Sequence, residues 1–201
     1  MKKTQNVLIL LSCVMFCVFT FSCASSGGGE KASAPAGGEA ATVLYKGTLE
    51  AYTDVNDKGD STIELEEFEK DGTVAFKVTG NVTTAFQYGF VGWQFSPDEE
   101  TLESLKAAKA ISFKFVGDGQ RQTVKYRISS VTDHAHYEFH FGGDAGKEEY
   151  VEVPIKSFQQ PSWGNFKRMN QANVEDICWQ THESWRPGTF EITIWDVRIH
   201  L

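Results

Sequence analysis

The chain has 201 residues, 41% of them hydrophobic and 13% aromatic, with a formal net charge of −8. That apolar content is enough for a filled core and argues against a disordered chain. The acidic balance argues against nucleic acid as a partner and against general electrostatic adsorption to anionic lipid.

The N-terminus reads as a secretory signal, with Lys2 and Lys3 as a basic region ahead of a nearly unbroken apolar stretch over residues 7–21. It is too short and too early for a standard membrane span. In Thr20-Phe21-Ser22-Cys23 a small residue directly precedes a cysteine, which resembles the bacterial lipobox. Cleavage before Cys23 and its acylation are therefore expected, with an ordinary signal peptide and a coincidental cysteine as the alternative. Residues 24–41 carry no large apolar side chain and read as a flexible linker. The expected organisation is a signal over residues 1–22, a lipidated Cys23 and linker over 23–41, and one domain over 42–201. Loss of the signal moves the formal charge from −8 to −10, since it removes Lys2 and Lys3 and no acid. Of the four cysteines only Cys178 then remains in the domain, so no internal disulfide is expected. Cys178 reads as a small buried hydrophobe, or else as a lone reactive thiol.

Period-two alternation predicts strands around Val74, Phe76 and Val78, Ile111, Phe113 and Phe115, Val124, Tyr126 and Ile128, Tyr137, Phe139 and Phe141, and Val151, Val153 and Ile155. Between the first two, Ser96-Pro97-Asp98-Glu99 has the form of a capping box with proline at the first helical position, predicting one short helix over residues 97–109. In the last strand the apolar phase changes from Phe190, Ile192 and Ile194 to Trp195, Val197 and Ile199, which a β-bulge near Trp195 would reconcile. Many short strands with one helix argue for an all-β sandwich.

The order Gly89-Phe-Val-Gly-Trp93, a helix, Ala108-Lys-Ala-Ile-Ser-Phe113, Gly117-Asp-Gly119, then Tyr150-Val-Glu-Val-Pro-Ile155 and Gly188-Thr-Phe-Glu-Ile-Thr-Ile194, resembles the complex I intermediate-associated protein 30 family. Family-11 carbohydrate-binding modules are similar. The resemblance spans most of residues 54–201 and implies a galactose-binding-like jelly-roll β-sandwich with one short helix, binding ligands on a concave sheet face or at loop tips without catalysis. It does not choose between a carbohydrate and an envelope protein as partner.

Within this frame His134, His136, Glu138 and His140 are predicted to project from one face of a strand. If Thr132-Asp133 is a two-residue turn, Ser129 stands opposite His136, Arg127 opposite Glu138 and Lys125 opposite His140. Three readings of this row are open. One is a sugar-binding platform completed by an aromatic ring from Trp93, Trp163, Trp179 or Trp185. Another is a solvated outer face with Arg127 and Glu138 as a surface ion pair. The third is a metal site built on His134 and His136 with His140 or Glu138. In residues 54–60, Asp54, Asn56 and Gly59 match part of an EF-hand loop, but Lys58 and Leu65 stand at ligand positions, which rejects that motif. The jelly-roll resemblance instead implies a structural calcium on Asp54, Asp57 or Asp60 with Asp196; an ordinary solvated turn is the alternative. No nucleophile elbow, phosphate loop, paired-cysteine or zincin motif is present, so no enzymatic activity is expected. The expected location is the bacterial cell envelope, held by acylation at Cys23. Ala24 and Ser25 in place of an aspartate favour the outer membrane.

Overall fold

The computed structural model describes residues 41–182 and 187–201. The predicted signal, Cys23, residues 24–40 of the linker and Trp185 lie outside the described residues. In chain order the strands are β1 (Thr42–Leu44), β2 (Gly47–Thr53), β3 (Thr62–Lys70), β4 (Thr73–Val82) and β5 (Phe90–Pro97), followed by the helix α1 (Glu99–Lys106). There follow β6 (Ala110–Gly117), β7 (Gln122–Ile128), β8 (Tyr137–Phe141), β9 (Glu148–Pro154), β10 (Val174–His182) and β11 (Gly188–His200). They form two antiparallel sheets, one of order β2-β5-β10-β7-β8 and one of order β3-β4-β11-β6-β9, with β1 pairing the end of β11. The all-β sandwich with one short helix is the expected fold class.

Alternation places the core between the sheets. From the five-stranded sheet, Val91, Trp93, Phe95, Val124, Tyr126, Ile177 and Trp179 point inward and meet Phe76, Val78, Phe113, Phe115, Ile192 and Ile194 from the other. Trp93 stacks parallel on both Trp179 and Phe190, at centroid distances of 6.5 and 6.4 Å, while Phe113 meets Trp179 edge-on at 5.6 Å. Every buried apolar side chain among the described residues falls between Tyr45 and Ile199, and residues 39–201 make one compact unit, so the domain carries a closed core of its own.

The bulge in the last strand lies where the phase change predicts it. Pairing with β6 is interrupted between Trp195 and Arg198, and Asp196 adopts φ 52°. Inward alternation thus resumes at Val197 and Ile199, while Trp195 faces outward under Lys70, whose ammonium sits 3.2 Å from the ring centre. The helix is shorter than predicted. Ser96 and Pro97 still pair with Thr48 and Gly47 in β5, so the cap is Asp98, whose carboxylate accepts from the Thr101 amide at 2.8 Å. Ile155, predicted to end a strand, opens a 3₁₀ turn after β9.

Candidate functional site

The outer face of the five-stranded sheet carries three rows of polar side chains, fixed by pairing register. Across its middle run Glu50, Gln94, Cys178, Lys125 and Glu138. To one side lie Ser96, Asp176 and Arg127, and to the other Tyr52, Gly92, Gln180, Thr123 and His140. Although they point away from the core, Thr123, Asp176 and Cys178 are buried, so the middle of this face is recessed.

Its charges are held in place from within. The guanidinium of Arg127 donates to Gln94 Oε1 at 2.6 Å, and Gln94 Nε2 donates to Ser96 Oγ at 2.7 Å. Arg127 also pairs with Asp176 at 3.4 Å and Glu175 at 3.9 Å. The first of these is an ion pair without hydrogen-bond geometry, and it leaves Arg127 Nε and Asp176 Oδ1 as buried atoms lacking a hydrogen-bond partner among the described residues. Burial raises the Asp176 carboxyl to about 6 against the pull of Arg127. Lys125 has no ion-pair partner among the described residues, and burial draws its ammonium down. Burial likewise pushes Glu138 up, opposed by Lys125.

One aromatic ring belongs to this face. Tyr52 lies across Gly92, where a β-carbon would run into the ring, and its hydroxyl reaches Cys178 Sγ at 3.6 Å. Glycine is required here because the ring occupies the space of a side chain. Cys178 is the expected buried free cysteine, but it sits under Tyr52 on the outer face instead of in the core. At the β8 margin the face borders a depression of about 620 Å³ lined by Arg121, Phe139, His140, Tyr150 and Glu152.

The predicted row is only partly assembled. The hairpin register is displaced by two residues, so Lys125, and not Arg127, stands opposite Glu138, and Thr123 stands opposite His140. Ser129 pairs with neither, its amide donating instead to Asn173. The turn is held by Asp133, which accepts from the Ala135 amide at 3.3 Å and from Asn165 of a distant loop, and His134 takes a left-handed φ of 65°. The chain turns there, so His134 and His136 precede β8 and lie off its row. Burial and the cations Arg127 and Lys125 lower His136 to about 4. Among the described residues no three His, Cys, Asp or Glu side chains come together closely enough to hold a metal ion.

The proposed calcium ligands are also separated. Asp54 is fully buried and accepts from the Ser61 amide at 3.1 Å, Ser61 Oγ at 2.7 Å and the Phe90 amide at 3.3 Å. Three donors already converge on this buried carboxylate, which makes it a structural anion of the turn. Asp57 is exposed, and Asp60 accepts from Thr83 Oγ1 just beyond β4. Asp196 instead receives Arg198 Nε at 2.6 Å and lies beside Thr73, at the opposite end of β4, about 30 Å away by strand rise. These residues do not fit one calcium ion. Of the candidate tryptophans, Trp93 and Trp179 are wholly buried and unavailable to a ligand, and Trp163 is exposed on the loop before β10.

The family described as Complex I intermediate-associated protein 30 (CIA30) matches residues 45–194. The chain belongs to this family. No curated protein matches its sequence. Among solved structures the CIA30 domain is similar to the family 11 carbohydrate-binding module of the cellulosomal cellulase Lic26A-Cel5E of Clostridium thermocellum, with a TM-score of 0.54 and 16% identity over 79% of this chain and 88% of that one. It is similar also to a family 30 carbohydrate-binding module, with a TM-score of 0.55 and 10% identity over 79% of this chain and 98% of that one. At such identities the likeness establishes the jelly-roll fold, and both relatives are binding modules.

Tyr52, Gly92, Gln94, Asp176 and Gln180 escaped the sequence reading, whereas Lys125 was placed on the row but opposite His140 instead of Glu138. The available signal was the outward alternation of Gly92 and Gln94 with Trp93, which marks a strand with a polar face but not what lies across it.

Proposed function

We propose that this chain is a non-catalytic carbohydrate-binding lipoprotein, acylated at Cys23 and held at the outer membrane of a bacterial envelope, with the outer face of its five-stranded sheet as the binding surface. The observation that carries the reading is the Tyr52 ring lying over Gly92 beside an ordered set of donors and acceptors. A sugar presents an apolar ring face and a rim of hydroxyls, so it needs a flat aromatic contact next to polar groups that are already oriented. Gln94, Lys125, Gln180 and Glu138 supply those groups, and the likeness to two carbohydrate-binding modules supports the ligand class.

A glycan array probed with residues 42–201 tests the reading, followed by calorimetry on any saccharide found. Arg127→Ala is a poor probe, since it strands the buried Asp176 carboxylate. Tyr52→Ala and Lys125→Met are better, and each should weaken binding about tenfold to a hundredfold while melts report an intact fold. Undiminished affinity in both variants would place the ligand elsewhere.

A further inference from the structure

The loop between β9 and β10 presents two large aromatic side chains to solvent. Trp163 is 67% exposed and Phe166 79% exposed, and Lys167 and Arg168 follow directly, both exposed. With exposed Lys156 at the start of the loop they make three cations, none with an ion-pair partner among the described residues.

This loop is built to hold its shape. Asp133 Oδ2 accepts from the Asn165 amide at 2.6 Å and from Asn165 Nδ2 at 3.0 Å. Gln160 spans the loop, accepting from the Lys167 amide at 2.8 Å and donating to the Asn165 carbonyl at 3.0 Å. Tyr137 donates to the Lys167 carbonyl at 2.5 Å, and Gly164 packs on Ala135 so tightly that a β-carbon would collide with it. The backbone that carries the aromatic tips is thus held in place, and the tips themselves remain uncovered. Exposed aromatics on a rigid base lose little entropy on docking.

The position of the loop names its occupant. The Leu201 amide donates to the Ala41 carbonyl, the Lys109 amide to the His200 carbonyl, and the Ile155 amide to the Lys109 carbonyl, each within 2.9 Å. Ala41, where the chain arrives from Cys23, therefore sits at the end of the sandwich from which residues 156–170 emerge. Eighteen residues separate Cys23 from Thr42, and a segment of their composition spans roughly 20–25 Å. The acidic first turn of α1, with Glu99 and Glu100, follows β5 and lies across this end from β8, on which the loop rests. An anionic surface would meet the cationic loop and repel the helix side.

We propose that Trp163 and Phe166, flanked by Lys156, Lys167 and Arg168, dock on the anionic phospholipid surface to which Cys23 is anchored and orient the domain with its sheet face clear of the bilayer. Amphipathic rings settle at the headgroup boundary, and lysine and arginine engage the phosphates. The net acidity of the chain opposes adsorption elsewhere on its surface, so contact is confined to this loop.

The inference rests on the anchor reading for the tether but can be tested separately. The isolated domain, which has its own core, is mixed with vesicles of phosphatidylcholine alone or with phosphatidylglycerol, each also made with brominated acyl chains. Trp163 fluorescence should shift to the blue and be quenched with phosphatidylglycerol only, in a salt-sensitive way. The shift should vanish in Trp163→Ala, and Phe166→Ala should weaken partition by about tenfold, with melting temperatures unchanged. In the full acylated chain on the same vesicles, quenching should persist at high salt. An anchored chain whose Trp163 is not quenched overturns the docking surface and leaves the anchor standing. A quenched domain whose full chain leaves the vesicles at high salt overturns the anchor and leaves the loop. Trp163 fluorescence that responds to a saccharide and to neither vesicle assigns the loop to glycan and overturns the proposal.

Discussion

At the scale of single residues, two contacts carry testable weight. Gly92 has no side chain because Tyr52 lies where one would be. Gly92→Ala should therefore displace the ring and weaken saccharide binding about as much as Tyr52→Ala, whereas Tyr52→Phe should keep the stacking surface and lose only the contact with Cys178. Calorimetry of the three variants separates ring position from the hydroxyl, and equal loss in all three would show that stacking is not the point. Asp54 is the other contact, a buried carboxylate fed by three donors from Ser61 and Phe90. Asp54→Ala leaves those donors unmet and should cost about 3 kcal/mol or more in denaturant unfolding. Because three donors already hold this carboxylate and Asp196 lies far from it, millimolar calcium should leave the wild-type melting temperature where it is. A calcium-dependent rise would mean that the donors give way to the ion.

At the scale of elements, pairing that depends on alternation was legible and pairing that depends on long-range partners was not. The strands around Phe76, Phe113, Val124, Phe139 and Val153 alternate clearly, and the phase change at Trp195 marked the bulge at Asp196. β2 and β3 were missed because their inward rows are interrupted by residues such as Ala51, Glu67 and Glu69 on edge strands. β10 was missed because its outward Asp176, Cys178 and Gln180 serve the recessed face, whose existence depends on β5 and β7. The register of β8 was misread by two residues because Asp133 spends its carboxylate on Asn165, a contact thirty-two positions away. The helix start is a similar case, and thermal melts can check it: Asp98→Ala should lower stability through loss of the N-cap, whereas Ser96→Ala should leave helix stability unaltered. The elements of the polar face also predict a pH signature. His136 is lowered to about 4, so its neutral form favours folding, and that stability is present above its unfolded value of 6.5 and lost as pH falls toward 4. Asp176 is raised to about 6 from 3.8, so its contribution has the opposite course, complete below 3.8 and lost as pH rises through 6. The two oppose each other between pH 6.5 and 4. Relative to wild type, His136→Gln should gain stability on acidification through this window and Asp176→Asn should lose it, which melts from pH 7 to 4 would reveal.

At the scale of the whole molecule, the domain has no means of its own to span a bilayer through a helix, since among the described residues none is long and apolar enough. The membrane retention proposed above therefore rests on another part of the chain. The candidate is Cys23, at the end of an apolar stretch that begins after Lys2 and Lys3. One acyl chain holds a protein only marginally, while two or more give stable anchoring because each buried methylene adds about 0.8 kcal/mol. In the proposed arrangement the exposed loop with Trp163 and Phe166 orients the domain and the acyl chains retain it. Cys23→Ser should therefore move the protein from the membrane to the soluble fraction even with the aromatic loop intact. Trp163→Ala with Phe166→Ala should leave it in the membrane fraction. Mass spectrometry of the native N-terminus should find an acylated Cys23 as the first residue. A Cys23→Ser protein that still sediments with membranes, or a native chain beginning at another residue without acyl groups, would mean that an ordinary signal is cleaved here and that the aromatic loop or a bound partner provides the attachment.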